Sequence, residues 1–285
     1  MSDQIDCIGV IGAGVMGSGI AQVFAMSGFN VVVCDMNHEL CQKSLIKIKK
    51  GLSNLLRKSK ISNEELSLIV ERIEYSIDMS ALLKANIVIE AVSENLLLKK
   101  KIFSELDALL DKKVIFASNT SSLSITNIAS AASRADKVIG MHFMNPVPVM
   151  KCVEVIKGTY TSDETFQQVS MLIDKIGKEK IVVKDSPGFI INRILMPMIN
   201  EAIHVFHSGI ANIGDIDLGM KLSCNLPMGP LALADLIGLD TVSSILSVLH
   251  HNLKEEKFRP CELLGDYISL GKLGKKVGIG FYEYK

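Results

Sequence analysis

The segment from Ile8 to Asp35 constrains the fold more than any other part of the chain. It runs through an apolar stretch at 8–11, the sequence Gly12-Ala13-Gly14-Val15-Met16-Gly17, a helical pattern, Val31-Val32-Val33, and Asp35. In a strand–helix–strand unit the first glycine permits the tight turn out of the strand and the second lets backbone approach a pyrophosphate. The third lets helix and strand pack closely. The helix N-terminus then faces the phosphates. Asp35 falls 18 residues after Gly17, at the end of the second apolar run. A carboxylate there accepts both ribose hydroxyls of an adenosine and repels a 2′-phosphate, so NAD is expected, with NADP disfavoured but not barred.

The remaining strand-like runs, at 5–11, 31–34, 87–91, 114–117 and 138–141, alternate with helical patterns such as 94–110. That alternation predicts a parallel sheet wrapped by helices, to which runs at 153–156 and 181–183 would add, with Ser162 capping the helix between them. After Lys184 the texture becomes helical. The expectation is an α/β, Rossmann-type doubly wound sheet over residues 1–184, then an all-α domain over 185–285 for substrate binding and dimerisation. Asp185-Ser186-Pro187 reads as an N-cap and first turn, opening a helix that runs to about His207. The apolar excess of that helix, including Ile190, Ile194, Leu195 and Met198, suits a subunit interface.

Between the second and third predicted strands lies a detour too long for a simple crossover. A helix over about 39–60, a capping box at Ser62 and Glu65, and a second helix to about residue 73 read as an inserted helical hairpin. Its first helix places Cys41, Leu45, Ile48, Leu52 and Leu55 on one stripe and Lys43, Lys47, Lys50 and Arg57 on the other. Seven basic residues and no acidic one lie between Leu40 and Asn63. A solvated face would explain such a stripe. A polyphosphate handle on the substrate would explain it as well, in a chain with no net charge to spare.

That neutrality is itself informative: Lys plus Arg and Asp plus Glu number 31 each, so there is no overall field to draw in nucleic acid or an anionic membrane. The six cysteines form no CxxC pair and read as reduced core thiols. His204 with His207 and His250 with His251 lack partners at ligand spacing, so no metal is expected. Residues 1–6 carry no basic and apolar leader, and no apolar stretch approaches the length of a membrane span. Cytoplasmic residence is the resulting expectation.

The best acid/base candidates lie in 140–155. His142 closes a predicted strand at the carboxyl edge, where open α/β sheets bind ligands. Glu154 lies on the next strand, and Pro146 and Pro148 brace the loop between them. The carboxylate can thus return to the imidazole, orient it, and stabilise its cation. An imidazole with an unperturbed pKa near ~6.5 suits proton exchange with an alcohol during hydride transfer. Ser118-Asn119-Thr120-Ser121-Ser122 follows another strand and offers hydroxyls to a substrate oxygen; a plain loop, with Ser124 simply capping the next helix, is the rival reading. Asn192 is a polar residue on an otherwise apolar helix, reaching either solvent or the site.

Taken with Glu94-Asn95, Pro187-Gly188-Phe189-x-x-Asn192-Arg193, Pro227-Met228-Gly229-Pro230 with Asp235, and Gly278-x-Gly280-Phe281-Tyr282, these motifs resemble the 3-hydroxyacyl-CoA dehydrogenase family over nearly the whole chain. The nearest likeness is to its stand-alone bacterial short-chain form. The resemblance implies reversible NAD-dependent oxidation of a short 3-hydroxyacyl-CoA, with His142 as general base, Glu154 as its partner, and Ser121 and Asn192 binding the 3-oxygen. It implies cofactor contacts from Glu94, Lys99, Ser121, Asn145 and Lys276, and contacts to coenzyme A from Lys50 and Lys58. It also implies a homodimer or a higher homo-oligomer. Val277 departs from the family, where a small hydroxyl residue often precedes the Gly-x-Gly-Phe-Tyr segment. Two alternatives stay open at this level: a β-hydroxyacid dehydrogenase acting on a free acid, and a non-catalytic NAD-binding structural protein.

Overall fold

Buried β-branched runs build one sheet. The computed structural model describes residues 5–284, so Met1 to Gln4, read above for a leader, lie outside the described residues. Its strands are β1 (Cys7–Ile11), β2 (Asn30–Cys34), β3 (Ile73–Ser76), β4 (Ile87–Glu90), β5 (Ile115–Ser118), β6 (Val138–Phe143), β7 (Cys152–Lys157) and β8 (Glu179–Lys184), in spatial order β3-β2-β1-β4-β5-β6-β7-β8. Every residue of β1, β4, β5 and β6 is buried, as expected of strands covered on both faces by helices. The strand order reverses beside β1, between β2 and β4. Open α/β sheets bind ligands at such a point, beyond the carboxyl ends of the strands.

The covering helices are α1 (Val15–Met26), α2 (His38–Arg57), α3 (Asn63–Glu71), α4 (Leu96–Leu109), α5 (Ile125–Ala129) and α6 (Asp163–Lys175). Local chemistry starts most of them. Asn37, Asn95, Ser124 and Ser162 cap α2, α4, α5 and α6 through their side chains. Ser62 and Glu65 form the full capping box of α3. Helices α2 and α3 make the expected hairpin, with Cys41, Ile48 and Leu52 buried and Lys43, Lys47 and Lys50 exposed.

Three sequence expectations need correction. Residues 73–76 form the edge strand β3, pairing in parallel with β2, where the periodicity had only ended a helix. Just one of its four residues is buried, so no apolar run announces it. Second, β7 joins β6 antiparallel, and only the β7–β8 pair resumes parallel pairing. The short proline-containing loop cannot house the crossover that a parallel neighbour requires. Third, Asp185 does not cap a helix beginning at Pro187. Its carboxylate accepts from Ile125 N (3.1 Å), Thr126 N (2.8 Å) and Ser124 Oγ (2.7 Å), serving the N-terminus of α5.

The chain divides into two compact units, Met1–Ser186 and Pro187–Lys285. The second contains α7 (Ile191–His207), α8 (Ile213–Cys224), α9 (Pro230–Ile237), α10 (Leu239–Leu253) and α11 (Glu262–Ser269), packed around Ile199, Ile203, Leu231, Leu246 and Phe281. Two buried carboxylates organise it. Asp217 caps α9 by accepting from Leu231 N and Ala232 N, at 2.8 and 2.9 Å. Asp235 accepts from Phe281 N and Tyr282 N, both at 2.9 Å, and thereby fastens the Gly-x-Gly-Phe-Tyr segment. Among the described residues no single helix is long and apolar enough to cross a membrane.

Candidate active site

The turn from β1 into α1 is built around contacts that only glycine permits. Gly12 has φ of +100°, and a Cβ there would lie 2.8 Å from the Ala91 carbonyl oxygen. A Cβ on Gly17 would be driven into the carbonyl oxygen of Gly12, so the loop closes onto the first turn of the helix. Gly14 faces open space, and no side chain caps the start of α1. The first amides of α1 are therefore left for an anion, where the helix dipole also favours one. Asp35 stands at the end of β2 beside this turn, its Oδ2 accepting from Ala13 N at 2.7 Å and its Oδ1 from Asn37 N at 3.1 Å. Each oxygen keeps a further lone pair for ribose hydroxyls.

At the same carboxyl edge, the β6–β7 register sets His142 directly opposite Glu154. His142 Nδ1 lies 2.7 Å from Glu154 Oε2, with the histidine 7% and the glutamate 0% exposed. A carboxylate accepts only, so Nδ1 carries the proton and the neutral ring holds its basic lone pair on Nε2. The same carboxylate stabilises the imidazolium when Nε2 takes up a proton.

A second polar network occupies the ends of β4 and β5. Glu90, fully buried, accepts from Lys99 Nζ (2.6 Å) and Val92 N (2.7 Å) on Oε1 and from Ser118 Oγ (2.6 Å) on Oε2. Lys99, only 1% exposed, also lies 3.5 Å from Glu94 Oε2. Glu94 in turn gathers the loop after β5: its Oε1 accepts from Thr120 Oγ1 (2.5 Å), Ser121 N (2.9 Å) and Ser122 N (3.0 Å), with Ser121 Oγ at 3.2 Å. Burial pushes the Glu94 carboxyl up, but the Lys99 charge and these hydrogen bonds outweigh it and hold the group below its ordinary range. Ser121, the serine singled out from sequence, is thus oriented by Glu94.

Residues 7–186 match the NAD binding domain of 3-hydroxyacyl-CoA dehydrogenase, and residues 188–284 match its C-terminal domain. The chain belongs to the 3-hydroxyacyl-CoA dehydrogenase family. It is 51% identical over 282 residues to a probable 3-hydroxybutyryl-CoA dehydrogenase of Bacillus subtilis, covering 99% of this chain and 98% of that protein. It is 45% identical to the 3-hydroxybutyryl-CoA dehydrogenase of Bradyrhizobium diazoefficiens, over 100% of this chain and 97% of that one. Among solved structures, the (S)-3-hydroxybutyryl-CoA dehydrogenase of Ralstonia eutropha superimposes with a TM-score of 0.95 at 47% identity, covering 99% of this chain and 100% of that one.

The other residues singled out in this 3-hydroxyacyl-CoA dehydrogenase fall in varied settings. Asn145 is exposed at the start of the β6–β7 loop, and Asn192 is buried in the first turn of α7. Lys276 is held by Asp240, its Nζ 2.6 Å from both carboxylate oxygens. Lys50 on α2 and Lys58 at its C-cap are exposed, and among the described residues neither meets a carboxylate at ion-pair distance. Lys99, by contrast, is an internal lysine whose ammonium is shared by Glu90 and Glu94.

Sequence reasoning missed Glu90 and gave Asn119, within the serine-rich loop, no role of its own. Asn119 Oδ1 accepts from Phe143 N at 2.9 Å, tying the serine-rich loop to the residue after His142. Glu90 left one signal: it is the single charge ending an otherwise apolar strand, a place where a buried carboxylate needs a cation nearby.

Proposed function

We propose that this chain catalyses the reversible oxidation of (S)-3-hydroxybutyryl-CoA to acetoacetyl-CoA. The carrying observation is the His142–Glu154 pair at the carboxyl edge of the sheet that bears the glycine turn. In oxidation, His142 Nε2 takes the proton of the 3-hydroxyl while Glu154 holds the opposite ring nitrogen and stabilises the cation formed. The nicotinamide of NAD supplies the acceptor for the hydride leaving C3. In reduction the imidazolium returns its proton to the nascent alkoxide. Ser121, oriented by Glu94, and Asn192 bind the 3-oxygen.

Within the Gly12–Gly17 turn the amides of Gly14 to Gly17 would hold the pyrophosphate, and Asp35 the adenosine ribose. Glu94, Ser121, Asn145 and Lys276 complete the cofactor contacts, whereas Lys99, expected from the resemblance to be one of them, lies inside and acts through Glu94. Lys50 and Lys58 present unpaired positive charge to the phosphates of coenzyme A. Exposed apolar residues on the helical unit, Ile194, Ile210, Leu218 and Leu222, support a homodimer formed through it. The enzyme works in the cytoplasm on a short-chain acyl-CoA. Its test is spectrophotometric: NADH should be consumed with acetoacetyl-CoA, much less with free acetoacetate, and NADPH should be the poorer donor. Faster turnover of the free acid would overturn the reading.

A further inference from the structure

Lys178 is 8% exposed, and its ammonium serves a single loop. It follows Gly177, immediately before β8, and its Nζ donates to the carbonyl oxygens of Val147 at 2.8 Å and Met150 at 2.5 Å. Both belong to the β6–β7 loop. Among the described residues no carboxylate lies at ion-pair distance from it. Burial pushes the ammonium's pKa down, opposed in part by Cys152. Lysine is rarely buried without an acid, because desolvating its charge is costly. Two carbonyls of one turn, delivered together, are what this lysine receives in exchange.

The rest of the loop is arranged to present them. The Pro146 carbonyl accepts from Val149 N (2.9 Å) and Met150 N (3.0 Å), folding the segment on itself. Val147, 2% exposed, packs on α1 where a Cβ on Gly19 would come within 2.8 Å of its own Cβ. The far end is fixed by Glu179 N donating to Lys151 O at 2.8 Å. The loop is therefore clamped between α1 on one side and Lys178 on the other, with Asn145 at its exposed entrance.

We propose that Lys178 is a positioning residue: through the Val147 and Met150 carbonyls it fixes the loop that carries Asn145, and so sets affinity for the dinucleotide. This rests on the reading of Asn145 as a cofactor contact. The His142–Glu154 pair is held separately, by the β6–β7 register.

The experiment is a double-mutant cycle on NADH binding, read by fluorescence titration and by steady-state kinetics. Lys178→Met keeps the side chain's length and removes its donors. It should weaken NADH binding about tenfold, with the loss falling on KM for NADH rather than on kcat. Asn145→Ala should weaken binding comparably, and the double variant no further than Asn145→Ala alone. Additive losses, or Lys178→Met with unchanged affinity beside a weakened Asn145→Ala, would overturn the positioning role. An Asn145→Ala protein of unchanged affinity would instead overturn the Asn145 reading, and the proposal with it. If Lys178→Met does not fold, Val147→Ala loosens the opposite anchor with Lys178 intact. It should weaken NADH binding about threefold, and unchanged affinity would count against the clamp.

Discussion

His142 and Glu154 face each other across the antiparallel β6–β7 pair, with Nδ1 and Oε2 2.7 Å apart and the carboxylate fully buried. Strand pairing, not a flexible loop, fixes their separation, so the tautomer of the imidazole is set by the fold. Replacing Glu154 with Gln keeps the shape and removes the charge that favours the imidazolium. Glu154→Gln should lower kcat by about 10²- to 10⁴-fold with little change in affinity for NADH. Stopped-flow reduction of acetoacetyl-CoA at saturating NADH reads the effect, and a loss below fivefold would contradict it.

In the proposed function, Asp35 sets the choice of dinucleotide through charge. Asp35→Ser should weaken NADH binding by roughly tenfold or more, because hydrogen bonds to an ionised group are lost. It should also narrow the gap between NADH and NADPH by removing repulsion of a 2′-phosphate. Comparing kcat/KM for the two donors checks this. A gap unchanged from wild type would show that discrimination resides elsewhere.

The Lys99–Glu90 pair predicts a stability effect distinct from any effect on binding. Both side chains are within 1% of complete burial. Lys99→Met leaves a buried carboxylate without its cation and should cost about 3–5 kcal/mol in denaturant unfolding. Glu90→Gln combined with Lys99→Met should cost less than the sum of the single changes, since neither charge is then stranded. Strict additivity would contradict this account of the pair.

Glu94 predicts an acid limit. Its carboxyl is held below the ordinary 4.5, with burial opposing and Lys99 and the Thr120–Ser122 donors prevailing. A group depressed on folding adds stability that is fully present above its unfolded pKa and lost as pH falls through the folded one. Wild-type protein should therefore lose more thermal stability than Glu94→Gln as pH drops below about 4.5. Parallel melting curves would settle it, and identical acid profiles would exclude Glu94 as the cause.

The sequence made much of this fold legible because its signals are local. The glycine turn, the capping box at Ser62 and Glu65, and the caps Ser124 and Ser162 each act within a few residues of themselves. Even the return of Glu154 to His142 could be anticipated, since two prolines limit what the short loop can do. What escaped was non-local or masked by composition. Residues 73–76 form an edge strand whose mixed polarity matches its half exposure. Asp185 resembled a cap for the chain following it but serves α5, some 60 residues earlier. Lys178 carries no sequence signal, Lys99 was expected to touch the cofactor, and only the fold reveals both inside, where lysines are rare.

In the proposed reaction His142 transfers the proton. Single-turnover reduction of acetoacetyl-CoA by NADH-loaded His142→Gln, with NADH affinity determined on the same protein, tests that role. The expected rate is about 10²- to 10⁴-fold below wild type with NADH binding retained. A rate within threefold of wild type would contradict it.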